Sequence, residues 1–407
     1  MRVLVIGGGG REHALALALS RDPAVDAVFA TPGNPGIAEV ADLVGDDDPV
    51  AAARASRADL VVIGPEAPLV AGAADELRAA GATVFGPSAA AAQLEGSKAF
   101  AKAVMTAAGV PTAGHWVCES PEQLAAALDA AGPPYVVKHD ELAAGKGVVV
   151  TDDRAAAEAH AQGHRVVVEE FLDGPEVSLF CLTDGKTVMP LQAAQDFKRV
   201  GDGDIGPNTG GMGAYSPLSW APTTLTDQVV DTIALPTIDE MAARGTPFAG
   251  LLYVGLALTS RGPKVVEFNA RFGDPETQVV LPLLGSSLFD ALHASAIGDL
   301  ASLPPLRWRD VASVVVVIAS DGYPATPRTG VAIDGIAAAN EIEGVDVLHA
   351  GTAHDASGRL VTSGGRVLGV RAVAPDLTTA RARAYEAAGR IHIDGGHYRR
   401  DIAGAVS

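Results

Sequence analysis

The sequence has little of what marks secreted, redox-active or membrane proteins. Its 407 residues include only two cysteines, Cys118 and Cys181, which can form one disulfide at most and lack the spacing of metal ligands. The longest apolar runs, such as the one at 311–319, end well before the roughly 20 residues that a membrane-spanning helix requires. These absences argue against a disulfide-stabilised fold, thiol redox chemistry and a transmembrane segment.

The chain also has little basic charge. Lysine and arginine number 30 against 49 acidic residues, which gives a net charge of −19. Because such a surface repels nucleic acid, we expect no nucleic-acid partner, and any bound phosphate must be held by a few locally placed cations. The first residues, Met1–Ile6, lead directly into a glycine-rich turn, which is typical of a buried strand and not of a signal peptide. We therefore expect a cytoplasmic protein without a membrane partner.

Apolar residues and glycine are plentiful. Hydrophobic residues make up 48% of the chain, and 46 positions are glycine. A chain of this length is expected to form roughly two to four domains. In residues 1–96, short apolar runs alternate with alanine-rich helical stretches, and each run ends at glycine or proline. This alternation predicts an α/β domain with a doubly wound parallel sheet, whose ligand-binding loops follow the carboxyl ends of the strands.

The pattern changes near Ser97. A helix from Lys98 is followed by strands near 135–138, 147–151 and 166–170, and later by a long helical stretch and two further strands. We predict a central α+β domain over 97–303, with a mobile lid at about 117–174. After a proline pair, two strands and one helix predict a small α+β domain over 304–407.

The loop Gly7–Gly10 follows the first predicted strand. It resembles a dinucleotide fingerprint, but Glu12 stands where that motif needs glycine, and strand two ends in Thr31-Pro32-Gly33 without the acid that binds a ribose diol. An anion cradle at the helix N-terminus remains possible on these residues, since free amides suit any phosphate. A tight strand-to-helix turn explains the glycines equally well.

A lysine-containing loop at 142–147 resembles a phosphate loop. It departs from the Walker pattern, because Gly147 stands where serine or threonine would bind magnesium. The small residues around Lys146 still suit a flap over a triphosphate. Lys138 ends an apolar strand, where an ammonium group needs an anionic partner unless it snorkels to solvent.

The segment 167–174 ends a strand in two acids, an aromatic residue and a turn. This pattern fits either an edge strand or a nucleotide clamp, in which backbone groups recognise adenine and Glu176 accepts the ribose hydroxyls. The loop 206–213 is richer in glycine than a simple connector needs.

The most informative stretch is 265–278. Glu267, Asn269 and Arg271 share one face of a strand at period two. A carboxylate and an amide oxygen together suit a magnesium ion that bridges phosphates, and an arginine beside them can bind a carboxylate or phosphate. The alternative is a solvent-facing charged strand, although Asp274 and Glu276 extend the polar cluster through a turn.

These motifs together resemble the ATP-grasp superfamily and, within it, the glycinamide ribonucleotide synthetase family. The resemblance covers nearly the whole chain, and the segment 271–278 (RFGDPETQ) is its most specific part. The other matching segments are Gly7–Ala14, Pro32–Gly36, Gly64–Leu69, Gln93–Phe100 and Asn208–Tyr215.

The resemblance implies ligation of glycine to 5-phosphoribosylamine by way of glycyl phosphate, giving glycinamide ribonucleotide, ADP and phosphate in purine synthesis. It implies ATP and magnesium or manganese as cofactors, only small-molecule partners, and a monomer. It assigns ATP binding to Lys98, Lys138, Glu169, Glu170, Phe171, Leu172 and Glu176, and metal binding to Glu267 and Asn269. It assigns catalysis to Arg271, Asp274 and Lys146, and substrate binding to Gly9, Gly10, Asn34, Glu66, Asp196, Lys198 and Asn208.

The chain departs from the family pattern in its lid. Most relatives read Lys-Ala-Asp-Gly where this chain has Lys138-His139-Asp140-Glu141, so that Glu141 replaces a flap glycine. The segment 153–166 is also shorter than is usual. Two other functions remain to be distinguished, namely another ATP-grasp ligase, such as a carboxylase subunit or peptide ligase, and a non-catalytic nucleotide-binding module.

Overall fold

The computed structural model describes residues 1–46, 48–142 and 147–406, and its first domain is a parallel sheet flanked by helices. The five strands lie in the order β3-β2-β1-β4-β5, and every pair is parallel. The elements are β1 (Arg2–Gly7), α1 (Gly10–Ser20), β2 (Ala27–Pro32), β3 (Asp42–Leu43), α2 (Pro49–Ser56), β4 (Leu60–Ile63), α3 (Glu66–Ala71), α4 (Ala73–Ala79), β5 (Val84–Phe85) and α5 (Ala89–Gly96). The predicted doubly wound sheet is confirmed, and the loops after β1, β2 and β4 meet at one edge.

A four-stranded antiparallel sheet forms the lid. Its order is β6-β9-β7-β8, and α7 and α8 pack on it around a separate apolar core that includes Leu128, Val137 and Val166. The elements from the start of the central region are α6 (Lys98–Ala107), β6 (His115–Cys118), α7 (Pro121–Ala131), β7 (Tyr135–His139), β8 (Val148–Thr151), α8 (Arg154–Ala161) and β9 (Val166–Glu169).

A second antiparallel sheet, in the order β11-β10-β16-β17, lies below the lid and carries the metal-ligand candidates. The elements are β10 (Glu176–Asp184), β11 (Val188–Pro190), β12 (Gln195–Asp196), β13 (Arg199–Gly201), β14 (Ile205–Asn208), β15 (Gly213–Ser216), α9 (Leu225–Val229), α10 (Leu235–Ala243), β16 (Ala249–Thr259), β17 (Gly262–Asn269), α11 (Glu276–Val280) and α12 (Leu288–Ile297). A π-helical segment, Val230–Ala234, joins α9 to α10, so the predicted long helix is continuous but irregular.

The last sheet combines strands from two distant parts of the chain. Its order is β12-β15-β18-β23-β20, so strands of the central region pair with C-terminal strands. The C-terminal elements are β18 (Ala312–Ala319), β19 (Ile333–Asp334), α13 (Ile336–Asn340), β20 (Val345–His349), β21 (Thr352–His354), β22 (Leu360–Thr362), β23 (Arg366–Ala374), α14 (Leu377–Ala388) and β24 (His392–Ile393). The predicted fold class is thus confirmed.

Buried side chains connect these sheets. One apolar core runs from Leu4 and Val61 of the parallel sheet through Val254 of the central sheet to Val316 and Val370 of the C-terminal sheet. Cys118 and Cys181 are both buried free thiols, and burial raises the pKa of Cys181 to about 12. No helix among the described residues combines the length and hydropathy needed to cross a membrane.

Candidate active site

Glu267, on β17, is the centre of the charged cluster. Burial by itself would raise the pKa of this carboxyl group, but Lys98, Lys198, Lys138 and Arg271 together lower it to about 2. The four cations come from the start of α6, the loop after β12, the lid strand β7 and the turn after β17. The fold therefore brings four predicted site residues together around a carboxylate that stays ionised at neutral pH.

A buried acid holds two lysines in place. Lys138 Nζ lies 3.0 Å from Glu169 Oε1, and Lys102 Nζ lies 2.9 Å from Glu169 Oε2. Burial lowers the pKa of Lys102 to about 8, although Glu169 opposes this shift. The predicted adenine clamp uses the backbone of Glu169, and its side chain is free to position the two lysines. Lys102 was not predicted, but a signal existed, since it follows Lys98 by four residues on an otherwise apolar helix.

A β-bulge places Lys138 against β17. Gly255 pairs with Glu267 and Leu256 pairs with Val265, so Val266 is an extra residue on β17. Its carbonyl oxygen accepts a hydrogen bond from Lys138 Nζ at 3.0 Å. The bulge lies just before the predicted period-two set, and the pairing is regular from Glu267 to Asn269.

The lid also fixes the start of α6. Ser97 caps this helix, with its hydroxyl accepting a hydrogen bond from the Phe100 amide at 3.1 Å. Asp140, just past β7, accepts hydrogen bonds at Oδ1 from the Ser97 hydroxyl at 2.8 Å and the Ala99 amide at 2.9 Å. Lys98, the first residue of α6, thereby lies in a helix turn that is fixed by its own cap and by Asp140 of the lid.

The segment 170–172 connects β9 to β10, as expected for an adenine clamp. The Glu170 amide donates to the Gly114 carbonyl at 2.9 Å, and the Glu170 carboxylate accepts from the Gly114 amide at 3.1 Å. Phe171 is 52% exposed and Leu172 is half-buried. Phe171 is thus open to solvent where the lid joins the central sheet, and adenine binding by this segment stays a prediction.

Three predicted substrate ligands lie on or beside β12 and β14. Lys198 Nζ pairs with Glu176 Oε2 at 2.5 Å, so the proposed ribose acid already has a cationic partner. Burial raises the pKa of Asp196 to about 7 against the opposing effect of Lys198, and Glu276 adds to the rise. Asn208 ends β14 opposite Arg199 and is half-buried.

Arg271 joins the central region to the first domain. Its Nε lies 3.1 Å from Glu66 Oε2, and its Nη2 lies 2.7 Å from Glu95 Oε1. Burial opposes the charge on Arg271, but Glu95 and Glu66 hold its pKa above the ordinary value. Burial likewise opposes ionisation of Glu66. Arg271 and Arg11 nevertheless lower the pKa of this carboxyl group. Glu95 was not predicted, although it lies in one of the matching segments.

Asp274 makes the corresponding contact to the C-terminal domain. Its Oδ2 lies 3.2 Å from the Arg366 guanidinium, which also donates to the Asp274 carbonyl oxygen at 2.7 Å. Gln278 donates to Asp274 Oδ1 at 2.7 Å. Burial favours the protonated acid, but Arg366 and Arg11 lower the pKa of Asp274. Arg366 was not predicted, because nothing near it in the sequence resembles a site motif.

Backbone groups of the glycine loop after β1 already form hydrogen bonds with side chains of the protein. The Gly9 amide, at the start of α1, donates to Glu12 Oε2 at 2.6 Å, so it is not free to bind a phosphate here. Gly10 is the first residue of α1. Asn34 donates to the carbonyl oxygens of Gly8 at 2.9 Å and His349 at 3.0 Å, and its own Oδ1 accepts from Ile37. These contacts support the loop architecture, and substrate binding by these residues stays a prediction.

Lys146, the predicted flap lysine, lies outside the described residues. Eight of the other candidates form two groups. Lys98, Lys138, Glu267 and Asn269 converge at the end of β17, whereas Gly9, Gly10, Asn34 and Glu66 line the edge of the parallel sheet. Arg271 and Asp274 lie between the two groups.

Comparison with known proteins agrees with this arrangement. Three domain models of phosphoribosylglycinamide synthetase match the chain, namely the N domain over 1–95, the ATP-grasp (A) domain over 96–277 and the C domain over 313–405. The chain is 62% identical to the phosphoribosylamine–glycine ligase of Streptomyces coelicolor over 411 residues, with 99% of each chain covered. It is 57% identical to that of Mycobacterium leprae, covering 99% of this chain and 97% of the relative.

The chain belongs to the phosphoribosylglycinamide synthetase family. A crystal structure of phosphoribosylamine–glycine ligase from Thermotoga maritima agrees, with a TM-score of 0.87 at 34% identity, covering 99% of this chain and 100% of that one. As a phosphoribosylglycinamide synthetase, the protein is an ATP-dependent ligase of purine biosynthesis. Membership of this family decides against both a different ATP-grasp ligase and a non-catalytic nucleotide-binding module.

Proposed function

We propose that this synthetase activates the glycine carboxylate with ATP as glycyl phosphate, and that 5-phosphoribosylamine then displaces the phosphate to give glycinamide ribonucleotide. The observation that carries this proposal is the convergence of four cations on ionised Glu267. Cations placed in advance stabilise the negative charge that develops on a transferring phosphoryl group and on departing ADP. Charge neutralisation of this kind serves direct transfer between substrates and needs no covalent enzyme intermediate.

Glu267 and Asn269 fit a divalent metal ion. The ionised carboxylate and the amide lie two residues apart on β17, and neither side chain hydrogen-bonds to another residue in the described parts of the chain. Two unused oxygen ligands of this kind suit Mg²⁺ or Mn²⁺. When bound, the metal would neutralise charge on the β- and γ-phosphates.

The protein's own groups would then hold the nucleotide. Lys98 and Lys138 contact the phosphates, and the backbone of 169–172 binds adenine where β9 leads towards β10. Glu176 accepts the ribose hydroxyls, which requires it to share or exchange its contact with Lys198. Lys146 would cover the triphosphate from the flap.

The amine and glycine would bind between β12 and the signature turn. Arg271 and Asp274 orient glycine, and Lys198 with Asn208 contacts the acceptor. Attack of the amine releases one proton, and Asp196 accepts it as a general base, a role supported by the burial that raises its pKa to about 7. The loops carrying Gly9, Gly10, Asn34 and Glu66 bind the sugar phosphate.

We also infer a cytoplasmic monomer with domains at 1–96, 97–303 and 304–407. Light scattering after size-exclusion chromatography tests the monomer directly. A mass near twice 41.3 kDa would contradict it.

An isotope experiment tests the chemical route. With glycine labelled by ¹⁸O in its carboxylate, glycyl phosphate formation predicts one ¹⁸O atom in each phosphate released. Phosphate release should also require glycine and phosphoribosylamine together. Unlabelled phosphate would exclude the acyl phosphate, and release without glycine would exclude the coupled reaction.

A further inference from the structure

A cluster of histidines lies in the lid, apart from the proposed substrate contacts. His139 ends β7, and its ring is stacked between those of His160 and His164, with ring centroids 4.3 Å and 3.9 Å away. Glu141 follows His139 by two residues in the chain. The ligase chemistry described above uses none of these side chains.

Three of these residues present ligand atoms to a common point. Glu141 Oε1 lies 3.3 Å from His164 Nδ1 and 3.9 Å from His139 Nδ1. All three ligand atoms lie within 4.8 Å of one another. Two ligands on a tetrahedral zinc ion, with bonds of about 2.0–2.1 Å, are about 3.3 Å apart. The observed separations of 3.3 Å and 3.9 Å are therefore close to those between the ligands of one zinc ion.

A backbone contact orients His139 as a metal ligand. Its Nε2 lies 2.8 Å from the carbonyl oxygen of His160, which can only accept a hydrogen bond. Nε2 therefore carries the proton, and Nδ1 keeps its lone pair directed towards Glu141. Metal-binding histidines commonly donate their second ring nitrogen to a carbonyl in this way.

His164 supplies the adjustment that metal binding requires. A metal ion lies in the plane of each imidazole that binds it, whereas His139 and His164 are stacked with only 13° between their planes. His164 must therefore rotate out of the stack. Its side chain is 42% exposed and lies in the turn between α8 and β9, where solvent leaves room for rotation.

Neighbouring charge does not oppose a cation at this position. Arg165, next to His164 in the chain, pairs with Asp140 Oδ2 at 3.0 Å and with Glu119 Oε1 at 3.0 Å. Its guanidinium is thereby neutralised by two acids other than Glu141. Glu141 keeps its charge available for a metal ion.

We propose that His139, Glu141 and His164 bind a divalent transition-metal ion such as Zn²⁺, with water as the fourth ligand. Two imidazoles and one carboxylate suit zinc, whereas Mg²⁺ prefers oxygen ligands, so the site differs in chemistry from Glu267 and Asn269. The ion would join the end of β7 to the turn before β9. It would thus fasten together the two ends of the chain segment that contains the flap and α8.

Metal binding to the full-length protein tests the proposal. Equilibrium dialysis with zinc in excess magnesium should give one bound zinc ion per chain. Titration with Co²⁺ should produce the visible absorption bands of tetrahedral cobalt. His164→Ala and Glu141→Gln should each weaken zinc binding by about 10-fold or more, because each removes one ligand. His392→Ala, which removes an exposed histidine of β24, is the matched control and should bind zinc like the wild type.

Several outcomes would overturn the proposal. One is the absence of tight zinc binding by the wild type, and another is unchanged affinity in both ligand variants. Loss of the bound zinc in Glu267→Gln, with binding intact in His164→Ala, would assign it to the magnesium ligands instead. Since Glu141 and His164 are exposed, their variants should fold, and thermal melting without zinc checks this.

Discussion

Glu267 keeps its charge because the surrounding cations outweigh the cost of its burial. Removing the charge of a buried carboxylate that is surrounded by cations is more harmful than removing a charge at the surface. The buried cations are then left without the negative charge that compensates them. Lys98, Lys138 and Lys198 would then face the nucleotide without their organising carboxylate. Substitution of Glu267 should therefore have a larger effect than substitution of a strand residue that faces solvent.

Glu267→Gln should reduce turnover by about 100-fold to 1000-fold, because it keeps the shape of the side chain but removes the charge that orients metal and lysines. The loss should appear mainly in kcat, and raised magnesium should restore part of it. Steady-state kinetics at saturating glycine measure the effect. Lys264→Gln, on the same strand, should leave turnover unchanged, and thermal melting monitors folding. Near-wild-type turnover in Glu267→Gln would remove the metal site from β17.

Asp196→Asn should abolish a pH dependence near neutrality. In the wild type, kcat/KM should rise as the pH increases through about 7, because Asp196 accepts a proton only in its ionised form. The variant should lose this inflection and fall by about 100-fold or more in turnover. Asp227→Asn, an exposed residue of α9, should retain the wild-type profile. An unchanged inflection in Asp196→Asn would assign the titration to another group.

At the scale of elements, the sequence predicted the bounds of several strands and the parallel first sheet, but it did not predict β10 or the pairing of central with C-terminal strands. The bounds of β1, β4, β18 and β23 agree with the apolar runs to within about two residues, since glycine, proline or charge terminates each run. The bulge at Val266 could not be predicted from the sequence. It shifts the pairing of β17 with β16 by one residue and leaves no mark in the composition of β17. Lys102 was missed for a similar reason, as its importance comes from Glu169 on a distant strand.

The lid should become less mobile when nucleotide binds. Its separate apolar core lets it move as one body, and closure would exclude water from glycyl phosphate. Hydrogen exchange in 117–174 should therefore slow on addition of magnesium and a non-hydrolysable ATP analogue. Amides in β16, within the central sheet, serve as the internal reference. Equal exchange rates in the lid with and without nucleotide would exclude closure.

At the scale of the whole molecule, buried histidines connect the first and last domains. The His349 amide donates to His13 Nδ1 at 2.8 Å, across the contact between α1 and β20. Burial lowers the pKa of His13 from 6.5 to about 3 and that of His349 from 6.5 to about 4. Both side chains are therefore neutral in the folded protein at physiological pH, and protonation opposes this contact.

Acidification should reduce the free energy of unfolding already at pH values well above the pKa of most carboxylates. Because each folded-state pKa lies below the unfolded value, the unfolded chain takes up protons first, and stability falls as the pH drops below about 6.5. At pH 5.5 each histidine should cost about 1.4 kcal/mol relative to high pH. Urea transitions at pH 7.5 and 5.5 measure this loss. His13→Asn, whose Oδ1 can accept the same hydrogen bond, should recover about half of it; an equal decline in both proteins would contradict the assignment.

The shared C-terminal sheet determines when this enzyme can first act during its synthesis. Asp196 lies on β12, which pairs with β15, and β15 completes its pairing only with β18, about 100 residues later in the chain. Arg366, which fixes Asp274, is translated later still. A chain emerging from the ribosome can fold its first domain early. It cannot assemble the acceptor end of its active site until translation is nearly complete, so only nearly finished chains can complete the ligation.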